Sequence, residues 1–411
     1  MAGPQRIVIA GGGLAGAKAA ETLRSEGFDG DLTIVAAEQE RPYERPPLSK
    51  EVLRGEKDHE SARVHERGFY DAMDIVLRLG EAAASLDPAA GTVTLERGDV
   101  LPWDRLLIAT GAEPRALPVP GGDLPGVLTL RTLDDSDRLR EVARSGGRLV
   151  VIGAGWIGCE AAASARELGA EVTVVEMADV PLAGVLGRRV GGIYADLHRE
   201  HGVELLTGAR LEAVEGDGRA ERIRLAGGRT IDCAAVLAGV GVVPRTALAE
   251  SAGLAVDNGI LVDATLETSA PGVFAAGDVA NALHPFYDGR RVRVEHWANA
   301  LNQGPTAARN MLGAAEPYDR LPYFFSDQYD TGMEYSGLAS AEDEVVIRGD
   351  ESARELIAFW VAERRVLAGM NLNIWDVNDA VQALIRSRAV VDPAKLADPG
   401  VPLEAEALSA T

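Results

Sequence analysis

An internal repeat restricts the fold of this chain more than any other feature of its sequence. The same order of elements occurs in RIVIAGGGLAGAKAAETLRSEGFDGDLTIVAAE (6–38) and in RLVVIGAGWIGCEAAASARELGAEVTVVE (148–176). Each stretch has an apolar strand, a glycine-rich turn, an alanine-rich helix, a second apolar strand and a terminal glutamate. A GxGxxG turn between a strand and a helix, followed by such an acidic residue, is typical of a dinucleotide-binding βαβ unit. The repeat therefore predicts two such units in one α/β chain.

The three glycines of each turn have different physical tasks. The first permits the tight turn, the second lacks a Cβ and lets a pyrophosphate approach the backbone, and the third allows the helix to pack closely on the strand. The phosphates would lie on N–H groups at the positive helix end, and the glutamate would accept hydrogen bonds from ribose hydroxyls. The predicted cofactor-binding residues are Gly11, Gly13, Leu14, Ala15, Gly16 and Glu38 in the first unit and Gly153, Gly155, Trp156, Ile157, Gly158 and Glu176 in the second. The simpler alternative is a parallel sheet with two glycine-rich turns and no nucleotide.

Composition excludes several classes of function. Of the 411 residues, 46% are apolar and 25% are charged, as in globular proteins, and the net charge of −22 argues against nucleic acid as a partner. No apolar run approaches the roughly 18 residues that a membrane helix needs. The two cysteines, Cys159 and Cys233, form no paired-cysteine motif, so we expect a reducing compartment, no metal site and no redox cysteine pair. The expected location is the cytoplasm, with no membrane partner.

Shorter motifs between and after the repeats point to a family. Three of them follow apolar strands: ATG (109–111), GVGVVP (239–244) and VFAAGD (273–278). In this order, around two GxGxxG units, they resemble the pyridine nucleotide-disulfide oxidoreductase superfamily. Further segments resemble one branch of it, the NADH-dependent ferredoxin reductases of bacterial oxygenase systems, a group that also resembles apoptosis-inducing factor. These segments are YERPPLSK (43–50), RVEHWANA (293–300), PYFFSDQYD (322–330) and AGMNLNIWDVNDAVQALIRSR (368–388).

The resemblance implies a fold and a pair of cofactors. The implied fold is α/β, with two Rossmann-like domains of the glutathione reductase type and a smaller α+β C-terminal domain. FAD would occupy the first unit and NAD the second. We expect an FAD domain from residues 1–113 and 244–320, an NAD domain from 114–243 and a C-terminal domain from 321–411.

The resemblance also implies further site residues. Asp278 would bind the ribityl chain of FAD, and Arg45 and Lys50 would lie along the flavin. HWANALNQG (296–304) would begin a helix directed at the pyrimidine edge of the flavin, where a positive helix end favours the negative charge of the reduced ring. The remaining predicted cofactor-binding residues are Ala109, Thr110, Gly111, Arg115, Gly241, Gly277, Glu295, His296, Trp297, Ala298 and Phe325. Trp297 is either a flavin contact or a core residue.

The segment RPYERPPLSK (41–50) indicates that the electrons leave the chain. In disulfide reductases of the superfamily, a cysteine pair in the matching region accepts electrons from the flavin, whereas residues 46–50 here are PPLSK and contain no sulfur. We therefore expect an external acceptor. We also expect Lys50 to pair with Glu160, because either charge buried alone would cost several kcal/mol. The pair would either order the nicotinamide pocket, as catalytic residues, or be a structural ion pair beside the flavin.

Glu176 indicates which nicotinamide coenzyme is used. Its carboxylate suits the free 2′-hydroxyl of NADH and would repel the 2′-phosphate of NADPH by on the order of 4 kcal/mol at 4 Å and an effective dielectric constant of 20. Met177, Ala178 and Asp179 follow, and they offer no arginine to bind that phosphate. The sequence therefore predicts a strong preference for NADH.

The predicted enzyme is an FAD-dependent NADH:ferredoxin reductase. Electrons would pass one at a time from FAD to an iron–sulfur ferredoxin, with a 2Fe–2S or another cluster, that feeds an oxygenase. The alternatives are an NADH oxidase-type flavoenzyme and a redox-sensing flavoprotein like apoptosis-inducing factor. The chain would be a monomer or a weak homodimer. Candidate docking residues for the ferredoxin are Arg290, Arg291, Arg293, Arg309, Arg364 and Arg365.

Two histidines lie three positions apart in DLHREHGVE (196–204), a segment with the pattern of a helix. A metal site at His198 and His201 would need more ligands than the neighbouring sequence offers. We therefore expect these side chains on a solvated helix face.

Overall fold

The chain folds into two compact units, each built from separate stretches of sequence. The computed structural model describes residues 3–409. The first unit contains the residues up to Arg45, His59–Glu113 and Val242–Pro322. The second contains Pro46–Asp58, Pro114–Gly241 and the residues from Tyr323 onward. The expected division into three domains stays a prediction.

Runs of consecutive strands, interrupted by helices, follow one another along much of the chain. The strands are β1 (Arg6–Ala10), β2 (Asp31–Ala36), β3 (Ile75–Leu79), β4 (Ala83–Asp87), β5 (Thr92–Leu95), β6 (Val100–Pro102), β7 (Arg105–Ile108), β8 (Ala112–Pro114), β9 (Val127–Leu128), β10 (Arg148–Ile152), β11 (Glu171–Val175), β12 (Glu204–Leu206), β13 (Leu211–Glu215), β14 (Arg222–Leu225), β15 (Thr230–Asp232), β16 (Ala235–Ala238), β17 (Val242–Pro244), β18 (Ile260–Val262), β19 (Val273–Ala275), β20 (Ala280–His284), β21 (Arg290–Val292), β22 (Tyr323–Gln328), β23 (Thr331–Gly337), β24 (Glu344–Asp350), β25 (Glu355–Ala362) and β26 (Arg365–Leu372). The helices are α1 (Leu14–Ser25), α2 (Glu51–Arg54), α3 (Phe69–Ala72), α4 (Leu133–Arg144), α5 (Trp156–Glu167), α6 (Ala183–Glu200), α7 (Ala247–Ser251), α8 (Trp297–Met311), α9 (Asn378–Ser387), α10 (Pro393–Ala397) and α11 (Ala405–Leu408).

The main sheet of the first unit is parallel, in the order β19-β7-β1-β2-β3. β1 buries every residue from Ile7 to Ala10, as expected of a parallel strand that is covered on both faces. The chain runs from β1 to β2 and β3 on one side, whereas β7 and β19 lie on the other side. This reversal creates a switch point between β1 and β7. At such a point, nucleotides bind beyond the carboxyl ends of the strands.

The second unit contains a similar parallel sheet, in the order β12-β11-β10-β16-β9. Its switch point lies between β10 and β16 for the same reason. The unit also contains an antiparallel sheet, in the order β22-β23-β26-β25-β24. One hydrophobic cluster joins the two sheets and includes Leu149 and Val174 of the first and the fully buried Trp360 of the second. The predicted α/β class, with two Rossmann-like parts and a C-terminal part of strands and helices, is confirmed.

The segment Pro46–Asp58 belongs to the second unit, although it follows the first glycine motif in sequence. Pro46–Ser49 forms a turn of 3-10 helix, which proline tolerates at its start, and α2 follows. Leu53 of α2 is fully buried in the cluster that contains Trp360. Ser164 Oγ donates to the carbonyl oxygen of Ser49 at 2.6 Å. These contacts hold the segment against α5.

Residues 3–409 have neither a membrane-spanning helix nor a clustered set of metal ligands. No helix in this range is long and apolar enough to cross a bilayer. No group of three or more histidine, cysteine, aspartate or glutamate side chains in the same range is arranged to hold a metal ion.

Candidate active site

The first glycine turn has the shape that a pyrophosphate needs. Gly11 has a φ of +135°, and a Cβ there would lie 2.1 Å from the carbonyl oxygen of Ala109. A Cβ on Gly16 would lie 2.2 Å from the carbonyl oxygen of Gly11. A Cβ on Gly13 would meet nothing within 4 Å. The outer glycines are therefore required by packing, whereas the middle one faces open space beside the start of α1.

The second glycine turn repeats this arrangement. A Cβ on Gly153 would lie 2.5 Å from the carbonyl oxygen of Gly239, and one on Gly158 would lie 2.1 Å from that of Gly153. A Cβ on Gly155 would again meet nothing within 4 Å. Among the described residues, no side chain caps α5 at Gly155, just as none caps α1 at Gly13. Each unit thus has open space at a positive helix end, and the residues present fit a dinucleotide in both.

Glu38 follows β2 and is held by two neighbouring side chains. Arg45 Nη2 donates to Glu38 Oε1 at 2.8 Å, and the Tyr43 hydroxyl donates to Oε2. Burial raises the pKa of the Glu38 carboxyl, but the charge of Arg45 and the hydrogen bonds from Tyr43 and Arg45 outweigh it and hold the pKa below its usual value. Glu38 is therefore a fixed carboxylate at the edge of the first turn. Sequence reasoning missed Tyr43.

Glu176 follows β11 and is held by the backbone instead. Its Oε2 accepts from the N–H of Ala154 at 2.7 Å, and its Oε1 accepts from the N–H of Ala178 at 2.8 Å. The carboxylate is thereby fixed beside the second glycine turn. Asp179 forms an ion pair with Arg188, whose side chain is 77% exposed. Arg188 lies outside residues 177–179, so the sequence analysis did not consider it as an arginine that could bind a 2′-phosphate.

Other predicted residues of the first unit lie at the carboxyl ends of its strands. Ala109–Gly111 follows β7, and the Thr110 hydroxyl donates to the carbonyl oxygen of Arg245 at 2.7 Å. Gly277 and Asp278 follow β19. The N–H of Gly277 donates to Gln303 Oε1 of α8 at 2.9 Å, and the Gly277 φ of +80° favours glycine. The unit therefore brings the ATG and GD motifs to the same sheet edge as the first glycine turn.

The start of α8 lies near the GD motif. Arg293 Nη1 donates to the Asp278 carbonyl oxygen at 3.2 Å and pairs with Glu295 at 2.5 Å. His296 is the residue that flanks α8 at its N-terminus, and Trp297 and Ala298 begin the helix. Burial lowers the pKa of His296 to about 4, although the charge of Asp278 acts in the opposite direction. The imidazole is therefore neutral near pH 7.

Lys50 and Glu160 form the predicted ion pair inside the second unit. Lys50 Nζ lies 2.8 Å from Glu160 Oε2, and the two side chains are 6% and 5% exposed. Ser49 donates its hydroxyl to the same oxygen, and Ser326 donates to Glu160 Oε1 at 2.7 Å. The ammonium also lies 5.5 Å from the centre of the Phe325 ring. The structure thus contains the expected ion pair, whereas a catalytic role for it stays a prediction.

The remaining predicted residues of the second unit lie around its glycine turn. The N–H of Arg115 donates to the carbonyl oxygen of Gly241 at 2.9 Å, which joins the segments that follow β8 and β16. Trp156 packs against Tyr194 and Phe324, with ring centres 6.0 and 4.9 Å apart. Ile157 is 46% exposed. Trp156 is therefore partly a packing residue, and Ile157 presents apolar surface beside the turn.

One histidine prediction was wrong. His198 of α6 is 1% exposed, not solvated, and its Nε2 lies 2.9 Å from Gln328 Oε1. The ring of the half-buried His201 stacks on Tyr329 with centres 3.6 Å apart. The helical spacing was recognised, but the burial of His198 depends on β22, which is distant in sequence.

Comparison with known proteins decides the family. Residues 5–304 match the family described as pyridine nucleotide-disulphide oxidoreductase, and residues 323–407 match the family described as reductase C-terminal. The chain belongs to the pyridine nucleotide-disulphide oxidoreductase family. Members of this family use FAD and NAD(H), so the predicted oxidoreductase class and cofactor pair are confirmed.

Relatives of this family member are similar over their whole lengths. The chain is 40% identical over 401 residues to the 5,5'-dehydrodivanillate O-demethylase ferredoxin reductase subunit of a Sphingobium species, and the match covers 97% of both proteins. It is 38% identical over 402 residues to the ferredoxin–NAD(+) reductase component of the anthranilate 1,2-dioxygenase system of Burkholderia cepacia, covering 97% of this chain and 98% of that one. The crystal structure of the covalent putidaredoxin reductase–putidaredoxin complex matches with a TM-score of 0.93 at 34% identity, covering 98% of each chain.

This member of the family does not have the cysteine arrangement of a disulphide reductase. Cys159 and Cys233 are both free thiols. Burial raises the pKa of the Cys159 thiol far above its usual value and that of Cys233 to about 11. Both sulfurs are therefore protonated near pH 7 and are poor nucleophiles.

The six candidate docking arginines do not all lie free at the surface. Arg293 is 11% exposed in its side chain and pairs with Glu295, and Arg309 pairs with Glu316 at 2.6 Å. Arg290 and Arg365 are exposed at the starts of β21 and β26, where Arg365 also pairs with Glu363 at 3.7 Å. Burial and pairing therefore reduce the number of these arginines that can meet an acidic partner.

Proposed function

We propose that this chain is an NADH:ferredoxin reductase that passes electrons from NADH through FAD to an iron–sulfur ferredoxin, which feeds an oxygenase. One observation carries the proposal: two glycine turns with open middle positions occur in a chain whose two cysteines are protonated free thiols. Two nucleotides supply and receive electrons, but no disulfide is available to take them further. The acceptor is therefore external.

FAD is assigned to the first unit. When bound, FAD accepts two electrons from NADH and releases them one at a time. Gly13 leaves room for the pyrophosphate, and the carboxylate of Glu38 accepts hydrogen bonds from the adenosine ribose. Arg45 and Tyr43 keep that carboxylate ionised and oriented. Asp278 and the start of α8 hold the other half of the cofactor.

NAD(H) is assigned to the second unit. Gly155 leaves room for its pyrophosphate, and Glu176 accepts hydrogen bonds from its adenosine ribose. Lys50 and Glu160 order the nicotinamide end, because a buried ion pair whose carboxylate is also hydrogen-bonded by Ser49 and Ser326 is held in a single orientation. Positioning of this kind supplies much of the rate of a reaction in which the cofactors do the chemistry.

The partner is proposed to be an iron–sulfur ferredoxin with a 2Fe–2S or another cluster, and the chain a monomer or weak homodimer in the cytoplasm. The relatives from Sphingobium and Burkholderia are named as ferredoxin reductase components of oxygenase systems, and putidaredoxin reductase was solved with putidaredoxin. The free thiols of both cysteines suit a reducing compartment. The exposed Arg290 and Arg365 are proposed contacts for the acidic face of such a partner.

The decisive experiment measures NADH-dependent cytochrome c reduction with and without purified ferredoxins encoded near this gene. The proposal predicts rapid reduction when a suitable ferredoxin is added and slow reduction without it. Fast oxygen consumption in the absence of ferredoxin would instead indicate an NADH oxidase. Slow turnover with every ferredoxin, together with an NADH-dependent change in molecular size, would indicate a redox-sensing protein.

A further inference from the structure

A chain of buried hydrogen bonds connects Glu160 with helix α6. The hydroxyl of Ser326 donates to Glu160 Oε1 at 2.7 Å. Gln328 Nε2 donates to the hydroxyl oxygen of Ser326 at 3.3 Å. Gln328 Oε1 lies 2.9 Å from His198 Nε2. The Lys50–Glu160 pair is thus linked to a histidine that the proposed reaction does not use.

The chemistry of these groups fixes the direction of every bond in the chain. The hydrogen of the Ser326 hydroxyl points to the carboxylate, so its oxygen accepts from the NH2 group of Gln328. The amide oxygen of Gln328 must then accept, which places the hydrogen of His198 on Nε2. His198 Nδ1 is left as an acceptor, and the Tyr329 hydroxyl lies 3.4 Å from it. Each group donates towards Glu160, an order in which successive hydrogen bonds polarise one another.

Strand geometry and burial make this arrangement specific. Ser326 and Gln328 are two positions apart on β22, so both side chains lie on the same face of the strand. The side chains of Ser326, Gln328 and His198 are each 1% exposed. A buried polar group is tolerated when its hydrogen bonds are made and is costly otherwise. Burial also lowers the pKa of His198 to about 4, so the imidazole is a neutral donor near pH 7.

The two oxygens of the Glu160 carboxylate are held from different directions. Oε2 is held by Lys50 and Ser49, which belong to the segment that follows the first glycine motif. Oε1 is held by Ser326 on β22. If Ser326 loses its orientation, the carboxylate can rotate while its contact with Lys50 remains.

We propose that His198 is a positioning residue that acts through Gln328 and Ser326 to fix the orientation of the Glu160 carboxylate. This inference rests on the proposed function, in which Glu160 orders the nicotinamide ring of NADH. A histidine that merely fills space would affect stability alone. A positioning histidine affects the rate of flavin reduction, and its effect passes through Ser326.

The test compares five variants, one of them a matched control, with wild type. His198→Leu removes the donor, and His198→Gln offers an amide N–H at a similar distance from the backbone. Ser326→Ala breaks the next link, and His198→Leu/Ser326→Ala breaks both. Thr173→Val is the matched control, because Thr173 is 1% exposed in the same unit and its hydroxyl donates to Glu204 at 2.9 Å, outside the chain. Stopped-flow reduction by NADH, calorimetric binding of NAD+, FAD content and thermal midpoint are measured for each.

The proposal predicts that His198→Leu slows flavin reduction about fivefold to tenfold, the effect of one net hydrogen bond, with FAD content unchanged. The rate of flavin reduction in His198→Gln should lie within about twofold of the wild-type rate, and the rate in Thr173→Val should equal it. The double variant should be no slower than Ser326→Ala, because both changes break the same chain. In wild type, nitrogen-15 NMR of the histidine rings should show His198 neutral with its hydrogen on Nε2 from pH 6 to pH 8.

Three outcomes would overturn the proposal: unchanged reduction in His198→Leu, additive effects in the double variant, or a hydrogen on Nδ1 of His198. If His198→Leu does not fold, Ser326→Ala and the NMR measurement decide the question. Lys50→Met and Glu160→Gln test the proposed role of the ion pair separately from the proposed role of His198. If both reduce at the wild-type rate, the proposed role of the ion pair fails as well; if both are slow and His198→Leu is fast, the role of His198 alone fails.

Discussion

Lys50 Nζ lies 2.8 Å from Glu160 Oε2, and neither side chain is more than 6% exposed. Ser49 and Ser326 complete the hydrogen bonds of the carboxylate. A buried ion pair is stable when its remaining hydrogen bonds are satisfied in this way, and loss of one partner leaves an uncompensated charge. The pair therefore couples the stability of the second unit to its proposed reaction.

The first prediction concerns that coupling. Lys50→Met should lower the free energy of unfolding by about 3–5 kcal/mol, because Glu160 is left buried without its counter-charge. Lys50→Met/Glu160→Gln should recover part of this loss, since no charge remains buried. Urea unfolding measures the stability, and stopped-flow spectroscopy with NADH measures flavin reduction.

The control for the ion pair is Arg199→Met. Arg199 pairs with Asp196 at 3.3 Å on an exposed face of α6, so its loss should change stability by less than about 1 kcal/mol. A Lys50→Met protein as stable as wild type would contradict the assigned burial. Wild-type reduction in that variant would remove Lys50 from the reaction.

The second prediction separates nucleotide binding from packing within one glycine turn. Gly13→Ala should leave the stability of the apoprotein unchanged, because the φ of Gly13 is −89° and its Cβ would meet nothing within 4 Å. The methyl group should nevertheless displace the pyrophosphate, so FAD content should fall sharply. Gly16→Ala should destabilise the apoprotein itself, since its Cβ would lie 2.2 Å from the carbonyl oxygen of Gly11. The flavin-to-protein absorbance ratio and apoprotein melting curves measure the two effects, and normal FAD content in Gly13→Ala would argue against FAD in this turn.

The third prediction concerns coenzyme choice. Wild type should prefer NADH strongly, because the fixed carboxylate of Glu176 repels a 2′-phosphate. Asp179→Asn should raise kcat/KM for NADPH by roughly tenfold or more, since a freed Arg188 can form a charge-assisted hydrogen bond with that phosphate. Steady-state kinetics with both coenzymes measures the change. Asp196→Asn, which releases Arg199 on the same helix, should leave the NADH-to-NADPH ratio as it is, and equal use of both coenzymes by wild type would refute the assignment.

The fourth prediction concerns the pH dependence of stability. The pKa of His198 is lowered from 6.5 to about 4 in the folded chain. Between pH 4 and pH 6.5, the unfolded chain binds more protons at His198 than the folded chain does. The contribution of His198 to the free energy of unfolding is therefore complete above pH 6.5 and is lost as pH falls towards 4. The free energy of unfolding should therefore fall by about 1 kcal/mol per pH unit from this group alone. Urea unfolding of wild type and His198→Gln from pH 7 to pH 5 measures the slope, and parallel curves for the two proteins would show that His198 does not titrate as assigned.

Local pattern was sufficient to predict the two nucleotide-binding units. The spacing of glycines, the apolar strands before them and the glutamates after them are all short-range features, and each follows from the geometry of one βαβ unit. The motifs near residues 109 and 277 were expected to follow apolar strands, and they lie at the same sheet edge because the carboxyl ends of parallel strands meet there. The burial of His198, by contrast, was predicted wrongly from helical spacing.

The order of glycines and acids along the chain was enough to specify two Rossmann-like dinucleotide-binding units, and the resemblance of further motifs to a known family implied their cofactors. The pairing of Lys50 with Glu160 was expected, but tertiary structure alone decided that all of Pro46–Asp58 packs in the second unit and that Ser49 also meets Glu160, across 111 positions of sequence. It also decided that Ser326 and Gln328 of β22 meet α5 and α6. The physical reason is that periodicity and turn chemistry are properties of neighbouring residues. The partner of a buried polar group is selected by the packing of segments that are distant in sequence.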